Sequence, residues 1–164
     1  MVTACRNYLV EKLIAAGIKT KVHTAEKTLL LSKEAHLGAV IVSGDTFVRS
    51  GSKKIYQSEQ GDKQRRLKTH ERTTKFRVVI GEYQEATCEA IFDKFLTSIE
   101  TGIEVDGNYT SIEIEDADWV DKEDSILSSK LAVMINIKFT GGVYKDIPLV
   151  KFGGEIEQTL EGGL

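Results

Sequence analysis

Cysteine is scarce: Cys5 and Cys88 are the only two in 164 residues. They lie far apart among apolar neighbours, which excludes a disulfide framework and fits a reducing compartment. Both read as small buried hydrophobes. Long apolar runs are missing as well. The longest, residues 131–135, is far too short to cross a membrane. Arg6, Glu11 and Lys12 interrupt the apolar residues at the N-terminus, against a signal peptide. Synthesis in the cytoplasm, with no membrane partner, is therefore expected. Positive charge is not in excess: 22 Lys and Arg face 25 Asp and Glu, a net charge of -3. A DNA-binding module is usually clearly basic, so there is no global nucleic-acid signal.

Chemical motifs are absent too. There is no G-x-G-x-x-G, P-loop or G-x-S-x-G. His23, His36 and His70 show no metal-ligand spacing, among themselves or with a cysteine, and read as surface or interface residues. No local signature supports a Cys/His nucleophile pair. The carboxylates of Asp116, Asp118 and Asp121 invite a calcium loop. An EF-hand, however, needs a central glycine, and Trp119 and Val120 stand where such a loop stays polar. No catalytic, cofactor-binding or metal-binding residue is assigned, and a non-enzyme without a cofactor is expected.

What is present is an ordinary globular composition, 41% hydrophobic and 29% charged. The length suits one domain that buries roughly two thirds of its unfolded surface. Cys5, Leu9, Leu13 and Ala16 recur at helical spacing, with Thr3 placed to cap the start and Gly17 the end. Residues 18–24 alternate and predict a half-exposed strand. Residues 39–42 form a short apolar run that predicts a central strand covered on both faces. Phe47 and Val48 suggest a further strand. Residues 53–75 are polar and predict a long protruding hairpin or loop, mobile in the isolated subunit. Residues 73–80 alternate, with Phe76, Val78 and Ile80 on one face.

A second helix is predicted over residues 89–99, where Cys88, Ile91, Phe92, Phe95, Leu96 and Ile99 make the clearest stripe in the chain. Residues 109–115 alternate, an acidic loop spans 116–124, and residues 130–139 form a last long strand. Thr140, Gly141 and Gly142 predict a turn. Beyond Tyr144 the pattern fades around Pro148 and the Gly pairs. The expected organisation is a domain over residues 1–144 and a C-terminal arm over 145–164. The fold class is α+β: a mostly antiparallel mixed sheet with two helices on one face and a long polar hairpin.

Charge is segregated along the chain. Residues 53–75 carry eight basic side chains against three acidic ones, a local balance of +5. Residues 100–124 carry ten acidic side chains and one Lys, a balance of -9. Three readings follow. The segments are two solvated faces, or the basic one packs on a DNA backbone. Alternatively, the basic segment of one copy meets the acidic segment of the next, a heterologous contact of the kind that closes rings. Under the last reading the interface residues are Lys63, Arg65, Arg66, Lys68 and Arg72 against Asp116, Asp118, Asp121 and Asp124.

The order of these elements resembles the tail terminator proteins of long-tailed phages, including the lambda-type one. The likeness rests on the N-terminal helix, the strand 39–42, the polar hairpin feeding 73–80 and the amphipathic helix. The acidic segment 116–124 leading through Ser128 and Ser129 into 130–139 completes it. It covers roughly residues 3–144 and is a pattern of elements rather than a sharp motif. The resemblance implies a hexameric ring that caps the head-proximal end of the tail tube and stops its polymerisation. The implied partners are further copies of the chain, the tail tube protein, a sheath protein in a contractile particle, the head connector, and DNA passing through the lumen. The implied location is the virion or a phage-tail-like particle made in a bacterial cytoplasm. The length of the basic region and the arm after Tyr144 depart from the family pattern. The alternatives are another neck protein, such as a stopper or completion subunit, and a small nucleic-acid-binding domain using the basic 53–75 loop.

Overall fold

The computed structural model describes residues 1–57, 63–120 and 131–149. The chain is α+β, as its patterning predicts. Helix α1 (Val2–Ala16) buries Cys5, Leu9, Leu13 and Ala16, the four residues at helical spacing. It starts before Thr3, and Met1 occupies the N-cap position without a side-chain hydrogen bond. Gly17 ends it at φ 128°, a conformation that costs other residues steric strain. Helix α3 (Glu85–Ser98) begins a turn earlier than its apolar stripe and buries Cys88, Ile91 and Phe95.

Between these helices run strands β1 (Leu37–Arg49), β2 (Lys53–Gln57) and β3 (Lys63–Glu82); strands β4 (Gly102–Val105), β5 (Asn108–Val120) and β6 (Leu131–Pro148) follow α3. They form one sheet in the order β1-β3-β6-β5-β4, with β2 also on β3, and every pairing is antiparallel. The main core lies on one face. Phe76, Val78 and Ile80 of β3 and Val133, Ile135, Ile137 and Phe139 of β6 meet the buried stripes of α1 and α3 there. The Phe76 and Phe139 rings pack edge to face at 5.5 Å.

Several expectations are corrected. A third helix, α2 (Glu26–Leu30), places Leu29 on the opposite face, against Leu37, Ala39, Val79 and Ala132. The strand expected over 18–24 reduces to one parallel bridge between His23 and Ala39. Ile18 and Val22 are buried, as alternation requires. However, the Lys19 N–H is taken by His36 Nε2 at 2.9 Å, and the Thr20 hydroxyl by the His36 carbonyl, so no ladder forms there. His36 is therefore a structural residue. Its other ring nitrogen contacts the buried Glu82 carboxylate, which ties the segment to the end of β3.

The apolar run 39–42 belongs to an edge strand, not a central one. It reads as central because Ala39 meets α2's face and Val40 meets the main core. Phe47 and Val48 continue β1 past a bulge between Val42 and Gly44. No turn forms at residues 140–142; β6 runs straight through to Pro148. The glycines there serve close approach. A Cβ on Gly141 would come within 2.8 Å of Thr110 Oγ1, and the Tyr144 ring lies directly over Gly142. The expected arm consequently begins as strand, with residues 145–148 paired to β3. The acidic loop begins as strand as well: residues 116–120 are in β5.

Candidate assembly interface

The polar region 53–75 is a hairpin. β2 pairs with the first residues of β3, Lys53 opposite Leu67 and Gln57 opposite Lys63, and β1 continues the same edge with Arg49 opposite His70. β3 is thus one long strand whose half from Lys63 to Arg72 is polar and whose other half is core.

The hairpin's basic residues are largely matched within the subunit. Arg66 forms a two-point pair with Asp146, Nε to Oδ1 at 2.8 Å and a terminal nitrogen to Oδ2 at 2.7 Å. It also donates to Asn108 Oδ1 at 3.1 Å and stacks near the Tyr56 ring, 4.9 Å from its centre. Arg72 holds Asp45, whose carboxyl is pushed below the ordinary range chiefly by that hydrogen bond, with Thr74 adding a second. Lys68 pairs with Glu71 at 3.0 Å and Lys75 with Glu115 at 2.9 Å. Such half-exposed pairs contribute about 0–1 kcal/mol each, the two-point arginine pairs most. Lys63 is exposed and Arg65 half-buried on the same strand.

The acidic residues sit elsewhere. Asp116 and Asp118 are exposed on β5, opposite Asn136 and Met134 of β6, and Asp116 accepts a hydrogen bond from Asn136. Asp121 and Asp124 lie outside the described residues. Arg66 is opposite Asp146, and Asp118 opposite Met134 on the same strand. At roughly 3.3 Å per residue the two charges are about 40 Å apart. The structure therefore does not bring the seven described candidate residues together within one subunit. It places the bases near one end of the sheet and Asp116 and Asp118 toward the other.

Sequence reasoning missed Asp45, Asn108 and Asp146 as the partners of the arginines. It also missed a groove of 570 Å³ in which Tyr56, Tyr109 and Tyr144 stand beside Lys54, Arg66 and Lys68. No periodic signal marked Asp146, because alternation ends at the glycine pair and Val143-Tyr144-Lys145-Asp146 does not resume it. Among the described residues no group of acidic, histidine and cysteine side chains is arranged to hold a metal ion. Burial raises both thiols, Cys5 and Cys88, to a pKa of about 11, which leaves them unreactive at neutral pH. No helix among the described residues is long and apolar enough to cross a membrane. No protein-family profile matches the chain, and no curated protein matches it in sequence.

Proposed function

We propose that the chain is a structural subunit of a homo-oligomeric ring, a hexamer by its family resemblance. The ring caps the head-proximal end of the tail tube of a phage or phage-tail-like particle, stops tube growth and offers a surface to the connector. The observation that carries this reading is the separation of charge along one continuous sheet. Although Lys75 and Glu115 pair within the subunit, Arg65 and Asp118 lie about 40 Å apart along the sheet and cannot. They are complementary between successive copies, and a heterologous contact of that kind closes into a ring when the rotation allows. The element order that resembles tail terminators supplies the rest. The tail tube protein, a sheath protein, the connector and DNA in the lumen are its expected partners.

A second reading is favoured by one observation. The groove gathers three tyrosines with Lys54, Arg66 and Lys68, and aromatic and cationic side chains together are the combination that holds single-stranded nucleic acid. The decisive experiment is electron microscopy of particles assembled without this chain. Tails of irregular, excessive length are expected. Tails of normal, uniform length overturn the terminator role. A stable monomer with salt-dependent affinity for single-stranded DNA would replace it with the nucleic-acid reading.

A further inference from the structure

Among the described residues the sheet has two open edges. On one side, β1 is bridged by His23 only at Ala39. From Ile41 through β2 its outer edge has no strand partner among the described residues. On the other side, β4 covers β5 only from Asn108 to Ser111, and the Ile112 N–H is taken by Thr101. From Glu113 to Val120 the outer edge of β5 has no strand partner among the described residues. Open edges of this length expose rows of backbone N–H and C=O groups, and proteins normally cover them.

The side chains on the two edges differ in a complementary way. The β5 edge carries Glu113, Glu115, Asp116 and Asp118 with no basic residue of its own, Glu113 and Glu115 being held by Lys138 and Lys75 from neighbouring strands. The β1–β2 edge carries Arg49, Lys53 and Lys54, with Asp45 already held by Arg72. Both edges also expose apolar groups: Phe47, Val48 and Ile55 on one, Ile114 and Trp119 on the other. Phe47 and Val48 are neighbours, so they point to opposite faces of the strand. They are nevertheless 55% and 65% exposed. This end of β1 is thus apolar on both faces and only partly covered, with Arg72 lying 5.2 Å over the Phe47 ring.

We infer that copies of this chain associate by strand addition, the free edge of β5 in one copy pairing with the free β1 edge of the next. This inference rests on the ring reading and gives its contact a backbone mechanism. The topology sets the strand polarity. β1 and β6 run one way, β3 and β5 the other. If copies are related by rotation about an axis along the strands, β1 of one meets β5 of the next antiparallel, which continues the pattern of the sheet. The register follows from tilt. Asp116 is level with Ile41 through Asn136 and Arg77. Strands in closed sheets tilt by up to about 45°, which over four strands shifts the register by about six residues. Of the two directions, one brings Arg49 level with Ile114 and Phe47 level with Asp116. The other would set Asp116 level with Ala35, outside β1, so the extent of the free edge selects the first.

The same geometry identifies a substitution that blocks pairing without breaking the subunit. The Ser50 N–H points inward, to the Thr69 carbonyl. Counting back along the strand, the N–H groups of Arg49 and Phe47 point outward. A proline at position 47 removes a donor that the subunit itself does not use. The test uses the full chain. Parent protein is first weighed in solution, alone and with tail tube protein. Phe47→Pro is then compared with it, with circular dichroism reporting the fold. Separately, copies bearing Arg49→Cys or Phe47→Cys are mixed with copies bearing Ile114→Cys or Asp116→Cys and oxidised. The native thiols are buried and contribute little background.

The expected results are a folded, monomeric Phe47→Pro and a covalent dimer in the mixed samples only, strongest for the pairs 49 with 114 and 47 with 116. If the parent forms rings, but the proline variant does so equally and none of the four mixtures cross-links, strand addition is overturned and the ring survives. If the parent stays monomeric under all conditions, the ring reading fails, and the inference with it. If the proline variant unfolds, the cross-links alone decide.

Discussion

Arg66 and Arg72 show how a charged residue read as an interface cation comes to be spent inside its own subunit. Both lie on β3 and both face a carboxylate across the sheet, Asp146 for Arg66 and Asp45 for Arg72. Reversing either charge would leave that carboxylate unpaired and disturb the hairpin as well as any contact. The Asp45 pair has a pH signature. Its carboxyl is held below its ordinary value of 3.8 by the Arg72 hydrogen bond. A depressed carboxylate contributes stability in full above that value and loses it as the pH falls through the folded-state pKa. Between about pH 6 and pH 2 the parent should therefore lose more unfolding free energy than Asp45→Asn, which lacks the titration. Urea titrations at stepped pH measure this; identical pH profiles would remove the pair from the stability account.

At the scale of elements, α3 is the piece whose sequence pattern and packing agree best. Its stripe predicts burial against the sheet, and Phe95 is fully buried there. Phe95→Ala should cost about 3–5 kcal/mol of unfolding free energy by removing the ring and leaving a cavity. An unchanged urea midpoint would refute the packing. Phe92, one turn away, instead meets the Trp119 ring edge to face at 5.6 Å. That contact ties the helix to the acidic end of β5. The hairpin and β6 show the opposite case. Their hydrophobic pattern fades at Gly141 and Gly142, yet the strand continues because β3 supplies partners out to Gln64. Cross-strand hydrogen bonds hold these residues where periodicity has ended.

For the whole molecule, the distribution of charge makes assembly kinetics the informative observable. In the proposed ring, exposed ion pairs would be weak, so backbone pairing and apolar contacts would carry the affinity while charge steers approach and orientation. Assembly followed by light scattering should slow steeply as salt rises from about 0.05 to about 1 M, where the screening length falls to about 3 Å. The final extent of assembly should change much less. A rate independent of salt would leave the opposite ends of the sheet as two solvated faces.

The α+β class, the two main helices, the hairpin and most core residues were legible in the sequence because each depends on local periodicity. Cys5, Leu9 and Leu13 must share a face in any helix, and Phe76, Val78 and Ile80 in any strand. The segregation of charge was legible for the same reason, as a property of composition along the chain. Register was not. Only the pairing of β3 with β6 sets Arg66 against Asp146. Only the strand order makes β1 an edge and leaves β5 without a strand partner beyond Ile112 among the described residues. Strand order and edges arise from contacts between residues far apart in the chain. A run such as 39–42 therefore has the same pattern at the rim of a sheet as at its centre, provided that both its faces are covered.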